Sequence, residues 1–161
     1  IQASYWEQGM SYAAYRQLME SLLADNKTTG PNQSDAMVAY TRMNAQRMHR
    51  LDKTVQLNPE MIAALHHISR PMRWLVLTEA WCGDAAQNLP ALAAMEAASQ
   101  HIEMRFLLRD EHLDLMDLFL TAGGRSIPKL IAFDPSNLNI LGSWGPRPSA
   151  AQTLYLGLKA S

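Results

Sequence analysis

Cysteine is nearly missing from this chain: 161 residues contain one, Cys82. One cysteine excludes an intramolecular disulfide, and with it the C-x-x-C pairs of metal sites and dithiol redox centres. A charge surplus is missing as well. Lys and Arg number 14 against 15 Asp and Glu, so nothing pulls the whole chain toward nucleic acid or an anionic membrane. No apolar run approaches the roughly 18 residues that span a bilayer. No signal peptide is visible at the N-terminus, and the expectation is a cytoplasmic protein with no membrane and no nucleic-acid partner. His49 and His66-His67 lack a second ligand cluster at suitable spacing, so no metal is expected. A nucleophile elbow and a phosphate-cradling glycine loop are both lacking. Internal repeats and low-complexity tracts are lacking too.

What is present supports a core, since 48% of the residues are hydrophobic. Tyr5, Tyr12, Tyr15, Met19 and Leu22 recur at helical spacing and predict one helix over 4–24. The polar stretch 26–33 contains Gly-Pro and reads as a loop. Ser34 or Asp35 can cap a second helix over 35–57. Its expected buried face is Tyr40, Met48, Leu51 and Val55. Its expected solvated face is Arg42, Arg47, Arg50 and Lys53. Asn58-Pro59-Glu60 places a cap and then a first-turn proline, starting a helix that runs to about His67.

After Arg70-Pro71 the pattern becomes alternating strands and helices. Strands are expected at 74–79, 102–108, 129–133 and 139–144, the last two joined as a hairpin by the turn cluster 134–137. A helix from Cys82 to about Ser99 contains Pro90, which kinks it. A short helix after Asp110 uses Leu113, Met116, Leu118, Phe119 and Leu120, and a last one covers 149–159. The order predicts an α/β fold: a mixed central sheet, parallel through its helical crossovers and antiparallel at its end, with helices on both faces. The division expected is 1–70 as an N-terminal helical extension packed on the core and 71–161 as the α/β domain.

Cys82 falls between the first strand and the helix that follows. Backbone N–H groups and the dipole at a helix N-terminus stabilise a thiolate. Asp84, two residues on, opposes that. Free cysteines are more often inert and buried, so placement decides this one's role.

Several phrases at and after Cys82 resemble the thioredoxin fold. Trp81-Cys82-Gly83 follows the first strand, and Pro90 stands eight residues after Cys82. Ile127-Pro128 opens a strand after the second crossover, where thioredoxins carry a cis-proline, and Gly145 follows the hairpin. The chain is further similar to a bacterial thioredoxin-like branch in Arg47–Thr54, Glu79–Gln87 and Trp144–Pro148, with Trp-Cys-Gly-Asp-Ala in place of Trp-Cys-Gly-Pro-Cys. The resemblance implies that the site comprises catalytic Cys82 and its surroundings Trp81, Gly83, Asp84, Ala85, Ile127, Pro128, Gly145 and Arg147. It also implies that a cis Ile127-Pro128 bond sets backbone groups beside the sulfur. Arg147, with Arg125 or Lys129, is expected to set a positive potential there and to pair with Asp84 or a substrate carboxylate.

Two departures matter. Ala85 stands where the resolving cysteine would be, so intramolecular dithiol exchange cannot be completed. Val76 stands six residues before the cysteine, where thioredoxins carry a buried acid. Two readings follow. One is a monothiol oxidoreductase with no bound cofactor, exchanging with a disulfide-bearing partner or with glutathione as co-substrate. The other is a non-catalytic binding module that recognises an extended peptide or a partner protein.

Overall fold

A computed structural model describes residues 1–149. Four strands carry the architecture: β1 (Met72–Thr78), β2 (Ile102–Leu108), β3 (Lys129–Phe133) and β4 (Ile140–Trp144). Six helices accompany them: α1 (Ala3–Gln8), α2 (Tyr12–Ala24), α3 (Asp35–Thr54), α4 (Pro59–His66), α5 (Gly83–Ala98) and α6 (Leu113–Met116). A 3-10 turn, Arg109–Glu111, links β2 to α6.

The sheet order is β2-β1-β3-β4. β1 and β2 run parallel, with α5 as the crossover between them. β3 lies antiparallel to β1 and pairs with β4 as a hairpin. This is the mixed sheet that the element order predicts. Within β1, Trp74–Leu77 is an unbroken apolar run because both faces of the strand are covered there. Trp74 and Val76 face Tyr15, Met19, Met48, Leu65 and Leu89. Leu75 and Leu77 face Trp6, Leu115, Met116, Ile131 and Phe133. Side chains alternate along a strand, so successive β1 residues build two cores.

The single helix expected over 4–24 is two. Glycine is a poor helix former, and Gly9 is followed by a residue with better pairing elsewhere. Met10 donates its N–H to Phe106 O at 2.9 Å and accepts from Phe106 N at 2.7 Å, which binds the chain to the edge of β2. Ser11 then caps α2 by accepting from Ala14 N. The break divides the aromatic stripe between the two cores: Tyr5 goes with Trp6, while Tyr12 and Tyr15 pack on Phe106.

α3 starts at its Ser34 cap and stops at Thr54, short of 57. Its buried face is Val38, Thr41, Asn44 and Met48, and Tyr40 is 53% exposed. Met48 lies on the face expected, and Leu51 and Val55 are half-buried, but apolar spacing missed Thr41 and Asn44 because they are polar and bonded. Thr41 donates to Met37 O and shares a hydrogen bond with the Thr28 hydroxyl. Asn44 donates to Ala80 O at 3.0 Å. Arg42, Arg50 and Lys53 are solvated as expected, whereas Arg47 is half-buried.

α6 ends at Met116, and Leu118 is 73% exposed, so the short helix does not reach Leu120. The helix expected over 149–159 lies outside the described residues. An apolar trough of about 600 Å³ between α5 and the β3-β4 hairpin, lined by Trp74, Leu92, Met95, Leu130 and Trp144, also meets Pro148 near the last described residue. Among the described residues, no helix is long and apolar enough to cross a membrane.

Candidate functional site

β1 ends at Thr78, and the chain turns through Ala80 and Trp81 into α5. Cys82 is the N-cap of α5. Its sulfur accepts from Ala85 N at 3.5 Å and its thiol donates to Ile127 O at 3.4 Å. The helix N-terminus and the Ile127-Pro128 segment therefore meet at the sulfur. The Ile127-Pro128 peptide is cis, and so is Gly145-Pro146.

Gly145 has φ +120°, and a Cβ placed on it would lie 2.0 Å from Pro128 O. Only glycine allows the post-β4 segment to run this close to the proline turn. Lys129 Nζ fastens the same place, donating to Gly145 O at 2.9 Å and Thr121 Oγ1 at 2.6 Å. From there Arg147 reaches back and donates to Asp84 Oδ2 at 2.7 Å. Ala85 is buried, with its side chain in the core beside Leu89.

Charge around the thiol is mixed. Burial raises the Cys82 pKa above the usual thiol value, and the Asp84 carboxylate adds to that. The Ala85 and Asp84 backbone N–H groups and the Arg109 guanidinium pull the other way and do not prevail. At neutral pH Cys82 is a thiol. The charge of Arg125 is met by a carboxylate, whereas Lys129 meets neutral oxygens. Arg125 is exposed and forks onto Asp117 at 2.8 and 3.0 Å. The two bonds from Lys129 do not cancel its charge, which lies beside the Gly145-Pro128 contact. Arg147, Arg109 and Arg47 also stand beside the turn. Arg109 lies over the Trp81 ring at 5.1 Å. Arg47 Nη1 is 3.7 Å from where a Cβ on Gly83 would sit.

Two groups escaped the sequence reading. The first is an acid. Val76 leaves the expected position apolar, yet Glu79 is wholly buried three residues before Cys82. Its Oε1 accepts from Asp110 N at 3.0 Å, while Oε2 has no hydrogen-bond partner among the described residues. Burial raises its pKa, against the Thr29 hydroxyl and the Asp110 N–H. The loop before α3 is seated on this acid. Thr29 Oγ1 accepts from Ala80 N at 2.9 Å, and a Cβ on Gly30 would be 3.0 Å from Asp110 Oδ2 and 3.8 Å from Glu79 Oε2. A carboxylate at the end of an apolar strand, just before Trp-Cys, was the available signal.

The second is a cleft of about 850 Å³ between α3 and the Cys82 turn. Met37, Tyr40 and Met43 form one wall, Trp81 and Cys82 the other, with Arg47 between them. Among the described residues no group of three or more His, Cys, Asp or Glu side chains converges as a metal site would require.

A family model described as thioredoxin matches residues 30–160. The chain belongs to the thioredoxin family. The match takes in α3 and α4 as well as the sheet, so this thioredoxin-family chain is recognised well before its first strand. A crystal structure of a protein of unknown function from Pseudomonas aeruginosa superposes with a TM-score of 0.68 at 24% identity, covering 98% of this chain and 84% of that one. An HIV epitope-scaffold superposes with a TM-score of 0.67, also at 24% identity, over 93% of this chain and 79% of the scaffold. Both likenesses are of the thioredoxin-like fold alone. No curated protein matches the sequence.

Proposed function

We propose that this thioredoxin-family protein performs monothiol thiol–disulfide exchange through Cys82. The observation that carries the reading is the sulfur's position. It caps a 16-residue helix and lines an open cleft, while its thiol meets a backbone carbonyl of the Ile127-Pro128 turn. Cys82 loses its proton to solvent, and the thiolate attacks a disulfide R–S–S–R′. The R–S–S–R′ bond breaks and a Cys82–S–S–R bond forms. R′–S⁻ leaves with the electron pair and takes up a proton. With Ala85 in place of a resolving thiol, an external small thiol R″–SH must finish the cycle. Its thiolate attacks the Cys82–S–S–R bond, releasing R–S–S–R″ and restoring Cys82. The substrate class is a disulfide-bearing protein or glutathione, and no bound cofactor takes part. A compartment with a reduced thiol pool, such as the cytoplasm, supplies the second thiol.

Only the thiolate attacks, and burial with Asp84 raises the Cys82 pKa. Exchange is therefore slow at neutral pH and accelerates through the alkaline range. The same raised pKa favours a second reading, a binding module that uses the groove at Cys82 without chemistry.

The experiment incubates the protein with a small symmetrical disulfide from pH 6 to 10 and follows the Cys82 mixed disulfide by mass spectrometry, then adds free thiol. The expected result is adduct formation that rises with pH and is reversed by thiol, with none in Cys82→Ser. No adduct in the folded protein at pH 9, where the urea-unfolded chain reacts, would leave only the binding reading.

A further inference from the structure

We propose that the cleft between α3 and the Cys82 turn is a ligand site for a small thiol or disulfide bearing a free carboxylate, and that Arg47 receives that carboxylate. The proposal deepens the exchange reading and takes Cys82 as the point of attachment.

Size is the first argument. About 850 Å³ falls within the roughly 300–1,000 Å³ of small-molecule sites and suits a ligand of tripeptide size. Charge is the second. Arg47 is half-buried, and its one hydrogen bond among the described residues goes to Asn44 Oδ1 at 3.4 Å. A guanidinium has five N–H donors in a fork that fits a carboxylate. The carboxylate that lines the same cleft, Asp84, is already held by Arg147 at 2.7 Å. Arg47 makes no ion pair among the described residues, so an incoming carboxylate is the group that completes it.

Anchoring is the third argument. Asn44 is 2% exposed and donates to Ala80 O, two residues before Cys82. The residue that steadies Arg47 is thus tied to the turn that carries the thiol. Finally, Met37, Tyr40 and Met43 recur every three residues along α3 as the opposite wall. Tyr40 and Met43 are 53% and 45% exposed, so they offer an adaptable apolar surface for the ligand body. With glutathione disulfide the sulfur–sulfur bond breaks and a Cys82–glutathione disulfide forms. One glutathione thiolate leaves and is protonated.

Binding can be read without that chemistry. S-methylglutathione, which cannot exchange, is titrated by calorimetry into Cys82→Ser and into the same protein with Arg47→Gln, Arg47→Lys or Arg50→Gln. Arg50 is exposed on the same helix. The expected result is saturable binding that weakens at least tenfold with Arg47→Gln, is partly kept by Arg47→Lys and is unchanged by Arg50→Gln. S-methylglutathione with its carboxylates converted to amides is expected to bind at least tenfold more weakly to Cys82→Ser itself, a comparison that needs no second substitution. Equal affinity for the acid and amide forms, or no binding at millimolar concentration, overturns the proposal. Equal affinity of the Gln variant does so as well. If binding holds while the mixed disulfide never forms, the cleft assignment stands and only the exchange reading falls.

Discussion

Gly145 gives the sharpest test of how the site is assembled. Replacing it by Ala places a methyl carbon 2.0 Å from Pro128 O and 3.3 Å from Lys129 Cα. Ordinary contact needs more than 3 Å, so one backbone must retreat by roughly 1 Å or more. Neither segment is free to do so. Lys129 and Leu130 are paired to Leu77 and Val76 of β1, and Leu130 is paired to Trp144 of β4. The backbone at φ +120° adds a strain of order 1–3 kcal/mol for any side chain. With the clash, the loss of stability comes to roughly 3–5 kcal/mol, the upper end for one substitution. For a urea slope of about 2 kcal/mol/M, the unfolding midpoint falls by roughly 1.5–2.5 M. Two other glycines calibrate the result. Gly123 has φ +78° and open space around it, so Ala there costs strain alone, about 1–2 kcal/mol. Gly142 has open space and no unusual φ, so Ala there stays within about 0.5 kcal/mol of wild type. Urea melts of the three variants, followed by tryptophan fluorescence, check the order. If Gly145→Ala loses no more than Gly123→Ala, the close approach at Pro128 is not what holds the segment, and the reasoning fails.

Burial is the main cause of the raised Cys82 pKa, and Asp84→Asn removes the carboxylate that adds to it while leaving the Asp84 backbone N–H in place. Iodoacetamide labelling at pH 8 should quicken, since a lower pKa leaves more thiolate; an unchanged rate would remove Asp84 from the account of the thiol. Glu79→Gln tests the buried acid. Its pKa is raised in the folded state, so its proton is held more tightly there than in the unfolded chain. Stability from this group is complete below the unfolded carboxylate pKa and is lost as pH rises through the folded value. The Gln variant lacks that loss and can still accept from Asp110 N. Its melting temperature should exceed wild type at pH 8 and converge with it near pH 4. A variant less stable than wild type at pH 8 would show that the ionised carboxylate is welcome where it lies.

The strands and their order could be read from the sequence because their signals are local and strong. The apolar run of β1, the spacing of α5 and the turn cluster before β4 each act over a few residues. The N-terminal helices were less legible. Gly9-Met10 leaves helical geometry because Phe106, 96 positions away, offers Met10 a pair of backbone bonds. The buried face of α3 uses Thr41 and Asn44, whose partners lie in the preceding loop and at Ala80, so hydrophobic spacing found Met48 and not these two. The turn residues of the candidate site were legible through Trp81-Cys82-Gly83 and Ile127-Pro128. Arg47 and Glu79 open two of the phrases behind the resemblance, but their roles were not legible. Their surroundings come from elements far apart in the chain, and periodicity carries no trace of who meets whom across a cleft.

The thiol of Cys82 belongs to the framework as well as to the cleft. It receives one hydrogen bond from the start of α5 and gives one to the carbonyl before Pro128, so a single sulfur joins the two halves of the motif. Any adduct on that sulfur removes the proton given to Ile127. Were such an adduct to form, it would also cost the turn that bond. A serine hydroxyl keeps both bonds and an alanine keeps neither, so the two usual replacements ask different questions of this protein. An adduct that persists would register in the folding equilibrium, as a lower urea midpoint than that of the free thiol.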